Sequence, residues 1–257
     1  MSTAQMSIDI TSTSRPPFAR LVGVELRKTW DTRAGVWLLA AIVAITGLFM
    51  GIFFAVSDAD ERTFSNFIGI AATPQSLLLP VLGILLVTSE WSQRSAMVTF
   101  ALEPSRTRVI GAKLVAALLL GFAAFVAAML LAAVCTLVGG GDGGFEGVDA
   151  ADFGTFFLLQ EFTIIQGLAY GLIFLNTPAA IVTFFVLPTA SSIVFSLVSW
   201  LNDIRAWVDL ATAQSPLFSG EIDLTGEEWA QLGTTTLIWI ILPFVAGWIR
   251  VMRAEVK

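Results

Sequence analysis

The 257-residue chain contains no histidine, one cysteine and one tyrosine. Without histidine it has no Ser-His nucleophile pair and no His-ligated zinc or haem. Cys135 alone makes neither an intrachain disulfide nor a thiolate cluster. No G-x-x-x-x-G-K-[ST] occurs, so nothing reads as a phosphate-cradling loop. Charge is scarce as well. Asp, Glu, Lys and Arg make up 13% of the chain, hydrophobic residues make up 56%, and the mean hydropathy is +0.82. Soluble domains carry roughly 25% charge, so this composition excludes an ordinary soluble enzyme.

What is present is a set of long apolar runs. A membrane-spanning helix needs about 20 mostly apolar residues, because it must cross roughly 30 Å of hydrocarbon at about 1.5 Å per residue. Six stretches qualify: 36–56, 67–87, 114–138, 153–175, 180–200 and 232–249. Of the chain's 14 cations and 20 acids, only Glu161 falls inside them. The fourth and fifth are separated by Asn176-Thr177-Pro178, a turn signal at which one helix ends and the next begins. The reading is therefore an all-α integral membrane protein with six transmembrane helices.

Six spans place both termini on one side. Twelve of the 14 Lys and Arg residues lie on that side, and only Arg62 and Arg205 lie on the other. The positive-inside rule makes the basic side cytoplasmic, which predicts a multi-pass membrane protein with both termini inside. Thirteen acids, from Asp58, Asp60 and Glu61 through Asp142, Glu146, Asp149 and Asp152 to Glu227 and Glu228, belong to the outer side. Trp30, Trp37, Trp91 and Trp248 fall at inner span ends and Trp200 at an outer one, where amphipathic rings prefer the interface.

Residues 1–17 are rich in Ser and Thr and lack a signal peptide's apolar core, so they read as a disordered cytoplasmic tail. Phe18, Leu21, Val22, Leu26 and Trp30 then recur at helical spacing, with Arg20, Arg27 and Lys28 on other faces. This pattern predicts an amphipathic helix lying on the inner leaflet. Between the second and third spans, Thr88 to Lys113 has mixed charge and moderate apolarity. Ser89 and Glu90 are expected to begin a short helix that Ala96 to Leu102 continues, until Pro104 forces a corner before Arg106 and Arg108. That segment reads either as a loop whose cations only set topology or as a docking element for a cytoplasmic partner.

On the outer side, Leu201 to Gln231 is far longer than a simple connection requires and is expected to fold as short helices forming a lid. Thr225-Gly226-Glu227-Glu228 has capping-box spacing and predicts a helix start. Gly139 to Gly147 lacks the regular carboxylates of an EF-hand and reads as a flexible turn.

A carboxylate inside a span is costly, on the order of 3 kcal/mol, and faces a bundle interior or water. Glu161, with Gln160 beside it, is therefore a candidate for a bundle-interior contact or for a substrate or proton site. Pro74 and Pro80 in the second span and Pro188 in the fifth break helical hydrogen bonds, which makes those helices candidates for lining a pathway.

Taken together, FARLVGVELRKTWDTRAGVW before the first span, the Glu90 to Lys113 segment with its Glu…Pro-Ser-Arg…Lys order, and the long outer segment before the sixth span resemble the type-2 ATP-binding-cassette permease family of bacterial exporters. The closing Trp239…Pro243…Gly247…Arg250…Arg253 stretch is similar to actinobacterial members. The resemblance covers about Phe18 to Lys257. It implies a coupling helix within Glu90 to Arg108, involving Glu90, Arg94, Pro104, Arg106 and Arg108 and docking on a cytoplasmic ATPase, with the Phe18 to Trp30 helix as its support. Where many members have Gly-Thr after the glutamate, this chain has Ser95-Ala96.

The resemblance further implies two permease chains, identical or paralogous, with two separate ATPase subunits that bind ATP and Mg. The chain itself is then not an enzyme, needs no cofactor or metal, and has no nucleic-acid partner. The expected cargo is a hydrophobic or amphipathic drug, peptide or lipid. Two alternatives are a proton-coupled secondary transporter using Glu161 and a non-transporting membrane anchor or assembly protein.

Overall fold

The computed structural model describes residues 15–139, 144–148, 150–219 and 224–255. The described residues are 86% helical with no strand, and six helices are long and apolar enough to cross a membrane. In chain order the elements are α1 (Phe18–Asp31), α2 (Arg33–Val56), α3 (Phe64–Ser92), α4 (Ala96–Leu102), α5 (Arg106–Gly139), α6 (Ala150–Phe174), α7 (Thr177–Leu197), α8 (Ser199–Asn202), α9 (Arg205–Val208), α10 (Leu210–Ser219) and α11 (Gly226–Arg253). A π-helical turn over Leu237–Ile241 interrupts α11. Most of the expected tail, residues 1–14, lies outside the described residues, as do Asp142, Asp149, Glu221 and Asp223 and the side chain of Asp152.

Local chemistry sets the helix starts. Thr32 and Thr63 accept hydrogen bonds from Gly35 N at 3.2 Å and Asn66 N at 3.3 Å, satisfying first-turn donors of α2 and α3. Leu175 turns left-handed at φ 51, and Asn176 Oδ1 then accepts from Ala179 N at 3.0 Å, with Pro178 in the first turn of α7. The capping box at Thr225 is formed in both directions with Glu228.

Four boundaries differ most from the sequence expectation. α3 continues through Pro74 and Pro80 as far as Ser92, so Ser89 and Glu90 end the second span instead of starting a separate helix. α5 begins at Arg106, which carries Arg106, Arg108 and Lys113 into the third long helix. The capping-box helix is continuous with the last span through the π-turn, so Trp229 belongs to α11 and the separate short helices are α8, α9 and α10. At the fifth span, α7 ends at Leu197, and Trp200 lies in α8.

α3 and α6 form the centre of the bundle and run parallel, with Pro80 opposite Gly167 and Ile84 opposite Gly171. Their backbones approach so closely that a Cβ on Gly83 would meet the Ile164 carbonyl and one on Gly167 would meet the Pro80 carbonyl. Small residues permit this contact where helix association depends on packing more than on water release. One apolar cluster, including Leu79, Leu82, Leu86, Ile110, Ile164 and Leu168, fills the basic half. Another, including Met50, Phe67, Ala128, Phe156 and Leu159, fills the acidic half, and Cys135 packs at its edge. α2 and α7 lie at the periphery with mostly exposed apolar faces, a pattern that suits lipid or another membrane chain.

At the acidic end α8 to α10 fold against the bundle. Asp209, almost fully buried, accepts from Thr212 Oγ1 at 2.6 Å and Thr212 N at 3.2 Å, starting α10, and lies 3.4 Å from Arg205 Nε. Ser192 of α7 donates to the same carboxylate at 3.3 Å. Trp239 Nε1 donates to Val208 O at 2.7 Å, tying α11 to α9.

Candidate coupling joint and intramembrane carboxylate

At the basic end four charged side chains meet between three helices. Lys113 of α5 lies 2.6 Å from Glu25 Oε2 of α1 and 3.0 Å from Glu90 Oε1 of α3, and it also donates to Leu86 O at 2.8 Å. Lys28 of α1 lies 2.7 Å from Glu25 Oε1 and pairs with Glu90 as well. The two acids and two bases balance, as burial demands. Lys113, Glu25 and Glu90 side chains are each only 5% exposed, whereas Lys28 is 36% exposed and forms the wet edge. Burial alone would depress the Lys28 ammonium, but the Glu25 and Glu90 carboxylates override it and raise the pKa above its ordinary 10.5.

The network reaches α4 through Thr99, whose Oγ1 donates to Glu90 Oε1 at 3.4 Å. α3 stops at a Schellman turn in which Ser95 N donates to Glu90 O at 2.9 Å and Arg94 N to Trp91 O at 3.3 Å. Arg94 takes the left-handed position, φ 55, and its side chain is exposed. α4 then presents Met97, Val98 and Leu102 to the outside. Glu103, extended before Pro104, forms the corner, accepts from Ser105 N at 3.3 Å and pairs with Arg108 at 2.7 Å.

The residues singled out from the sequence thus divide into two groups. Glu90 is buried in the network. Arg106 reaches the carboxyl end of α11, 2.6 Å from Val251 O and 2.9 Å from Ala254 O, and stacks over Phe100. Arg108 is held by Glu103 and by Pro16 O at 2.6 Å. These three fasten the joint internally, and Arg94, Pro104 and the α4 side chains form its outer face. In α1 the buried face is Val22, Glu25 and Thr29 with Leu26 partly covered, while Phe18 and Trp30 are exposed.

By sequence Glu25 is not singled out, Lys28 lies on the polar side of the amphipathic helix, and Lys113 is only an inner-side cation closing the Glu90 to Lys113 segment. The available signals were a glutamate three residues after Val22 on the apolar edge of α1, and a lysine abutting the third apolar run.

Deep in the bundle Glu161 and Gln160 are both buried on α6, and neither carboxylate oxygen of Glu161 nor either end of the Gln160 amide has a hydrogen-bond partner among the described residues. Glu161 faces Gly121 of α5, where an added Cβ would lie 2.7 Å from Oε1. Gln75 of α3 abuts the same turn of α5, donating to Ala124 O at 3.4 Å. Pro74 and Pro80 are packed in the interior of α3, with Pro80 against Gly167. Pro188 is half-buried in an uninterrupted α7. Among the described residues no group of three or more acids, cysteines or histidines is placed to hold a metal. No family model and no curated protein matches the chain.

Proposed function

We propose that this chain is the permease subunit of an ATP-driven exporter in a bacterial plasma membrane, with its basic end in the cytoplasm. The observation that carries the reading is the four-charge joint among α1, α3 and α5, three of its members buried, from which the short α4 projects an apolar face. A flexible loop needed only for topology has no reason to bury three charges, each of which must be paired to offset its desolvation. A helix that passes force from a soluble partner into spanning helices does need such stiffness. Thr99 and the Schellman turn link α4 to Glu90, and Glu90 links it to α1 and α5. Displacement of α4 would therefore move the ends of two spans and the interfacial helix together.

In this reading two ATPase subunits, binding ATP and Mg, press on the α4 faces of two permease chains, and the exposed flanks of α2 and α7 meet lipid or the second permease. The cargo is a hydrophobic or amphipathic compound. The test is recovery of a soluble ATPase with the tagged chain, followed by Met97→Glu and Leu102→Glu. These exposed substitutions are expected to abolish recovery while the permease stays monodisperse. Absence of any bound ATPase with the unaltered chain overturns the reading, and transport in ATPase-free vesicles driven by a proton gradient would favour a secondary transporter using Glu161.

A further inference from the structure

One turn from Glu161 an apolar cleft of about 260 Å³ opens between α5, α6 and α11. Leu118, Phe162, Ile165, Ile240 and Phe244 line it, together with Thr236. The register places the carboxylate and the cleft side by side. Leu118 precedes Gly121 by one turn on α5, Ile165 follows Glu161 by one turn on the oppositely directed α6, and Gly121 touches Glu161. A helical turn is about 5.4 Å, the reach of a single aromatic ring.

Two polar groups at this place lack partners. Glu161 is only 6% exposed, and neither of its oxygens has a hydrogen-bond partner among the described residues. The Thr236 hydroxyl in the cleft wall is also buried and unpaired. It directly precedes the π-turn of α11, a distortion often found at binding sites. No other Asp, Glu, Lys or Arg occurs in 114–139, 153–174 or 229–249, so these three segments supply no charge that neutralises the carboxylate. An isolated buried carboxylate is satisfied by a proton or by a cation brought from outside. The rings of Phe162 and Phe244 in the lining suit a cation with a flat apolar body.

We propose that this cleft is a binding site for a lipophilic organic cation, with its apolar body between α5, α6 and α11 and its positive group at Glu161. The inference rests on the export reading for its biological sense, since it names the class of cargo, but binding itself requires no ATPase. The chain alone in lipid nanodiscs is therefore the material to test, with N-methyl-4-phenylpyridinium as probe and uncharged, nearly isosteric 4-methylbiphenyl as control, each corrected for uptake by empty nanodiscs.

The cation is expected to bind at least about tenfold more tightly than the control, and Glu161→Gln is expected to weaken the cation by about tenfold or more while leaving the control unchanged. Equal cation affinity in the parent and Glu161→Gln, or no preference for the cation, overturns the proposal. A readout on the unaltered chain guards against a misfolded variant. Dicyclohexylcarbodiimide should modify Glu161, and saturating cation, but not 4-methylbiphenyl, should protect it. Modification undiminished by the cation overturns the proposal as well. Failure to recover an ATPase would leave these binding results intact, and failure to bind the cation would leave ATPase recovery intact.

Discussion

Replacing Lys113 by Met tests the joint at its most buried point. The ammonium is 5% exposed and lies 2.6 Å from Glu25, 3.0 Å from Glu90 and 2.8 Å from Leu86 O. Met keeps most of the volume and removes the charge, leaving two buried carboxylates with one partner, the half-wet Lys28. Breaking a buried pair by deleting one member costs about 3–5 kcal/mol because the surviving charge stays desolvated. At about 2–4 °C per kcal/mol for a chain of this length, the melting midpoint in a fixed lipid nanodisc falls by about 10 °C.

The double variant Lys113→Met with Glu25→Gln restores neutrality and is expected to regain at least half of the loss. A double-mutant cycle therefore separates the ion pair from the packing. Lys28→Met should cost about 1 kcal/mol or less, since water screens its exposed edge. A Lys113→Met midpoint within 2 °C of the parent, or a Lys28→Met effect equal to it, would refute the idea that burial of this network holds α1 to the spans.

Because the Lys28 pKa is raised on folding, its contribution to stability is complete below its ordinary 10.5 and is lost only as pH rises through the elevated value; melting scans should show no Lys28 step between pH 6 and 9 and a loss above 10.5 that Lys28→Met removes. Gly167→Ala would drive a methyl into the Pro80 carbonyl and is expected to lower stability by about 1–3 kcal/mol, whereas Gly69→Ala, with open space around the new Cβ, should raise it by about 0.5–1 kcal/mol in the same assay. Arg94→Gly relieves the left-handed φ of 55 and should stabilise the chain by about 1 kcal/mol, measured as slower hydrogen exchange at Ser95 N.

The spans were legible because hydrocarbon imposes a one-dimensional rule: about 20 apolar residues with little charge. Asn176-Thr177-Pro178 and Thr225 to Glu228 were legible for a related reason, since caps depend on residues three apart in sequence. The joint was not, because Glu25, Glu90 and Lys113 lie far apart in the chain and meet only when α1 packs across α3 and α5. Arg106 is the clearest case. By sequence it is a cation after a proline corner, which the resemblance assigns to a docking segment, and in the fold it closes the carboxyl end of α11, 145 residues away. Pro74 and Pro80 illustrate the opposite difficulty. Proline signals a lost hydrogen bond, but only the opposing Gly167 shows that the space beside Pro80 is filled by protein.

The two charged features of the bundle obey one electrostatic rule with opposite outcomes. At the basic end every buried charge has a partner supplied by this chain, and the structure there is fixed: α1, α3, α4 and α5 share one network. At Glu161 the described residues supply space, through Gly121, but no counter-charge. A carboxylate that served packing alone would be replaced at no electrostatic cost by Gln or Leu, and one that served rigidity would have been given an Arg or Lys as Glu90 was. In the proposed site, an acid without a partner in a span, beside an apolar cleft and a Thr236 hydroxyl with no partner among the described residues, suits a positive group that arrives and leaves. In the proposed exporter the stiff joint and the incomplete site would be complementary, because such a subunit needs a connection that does not yield under force and a binding place that remains unsatisfied until cargo enters.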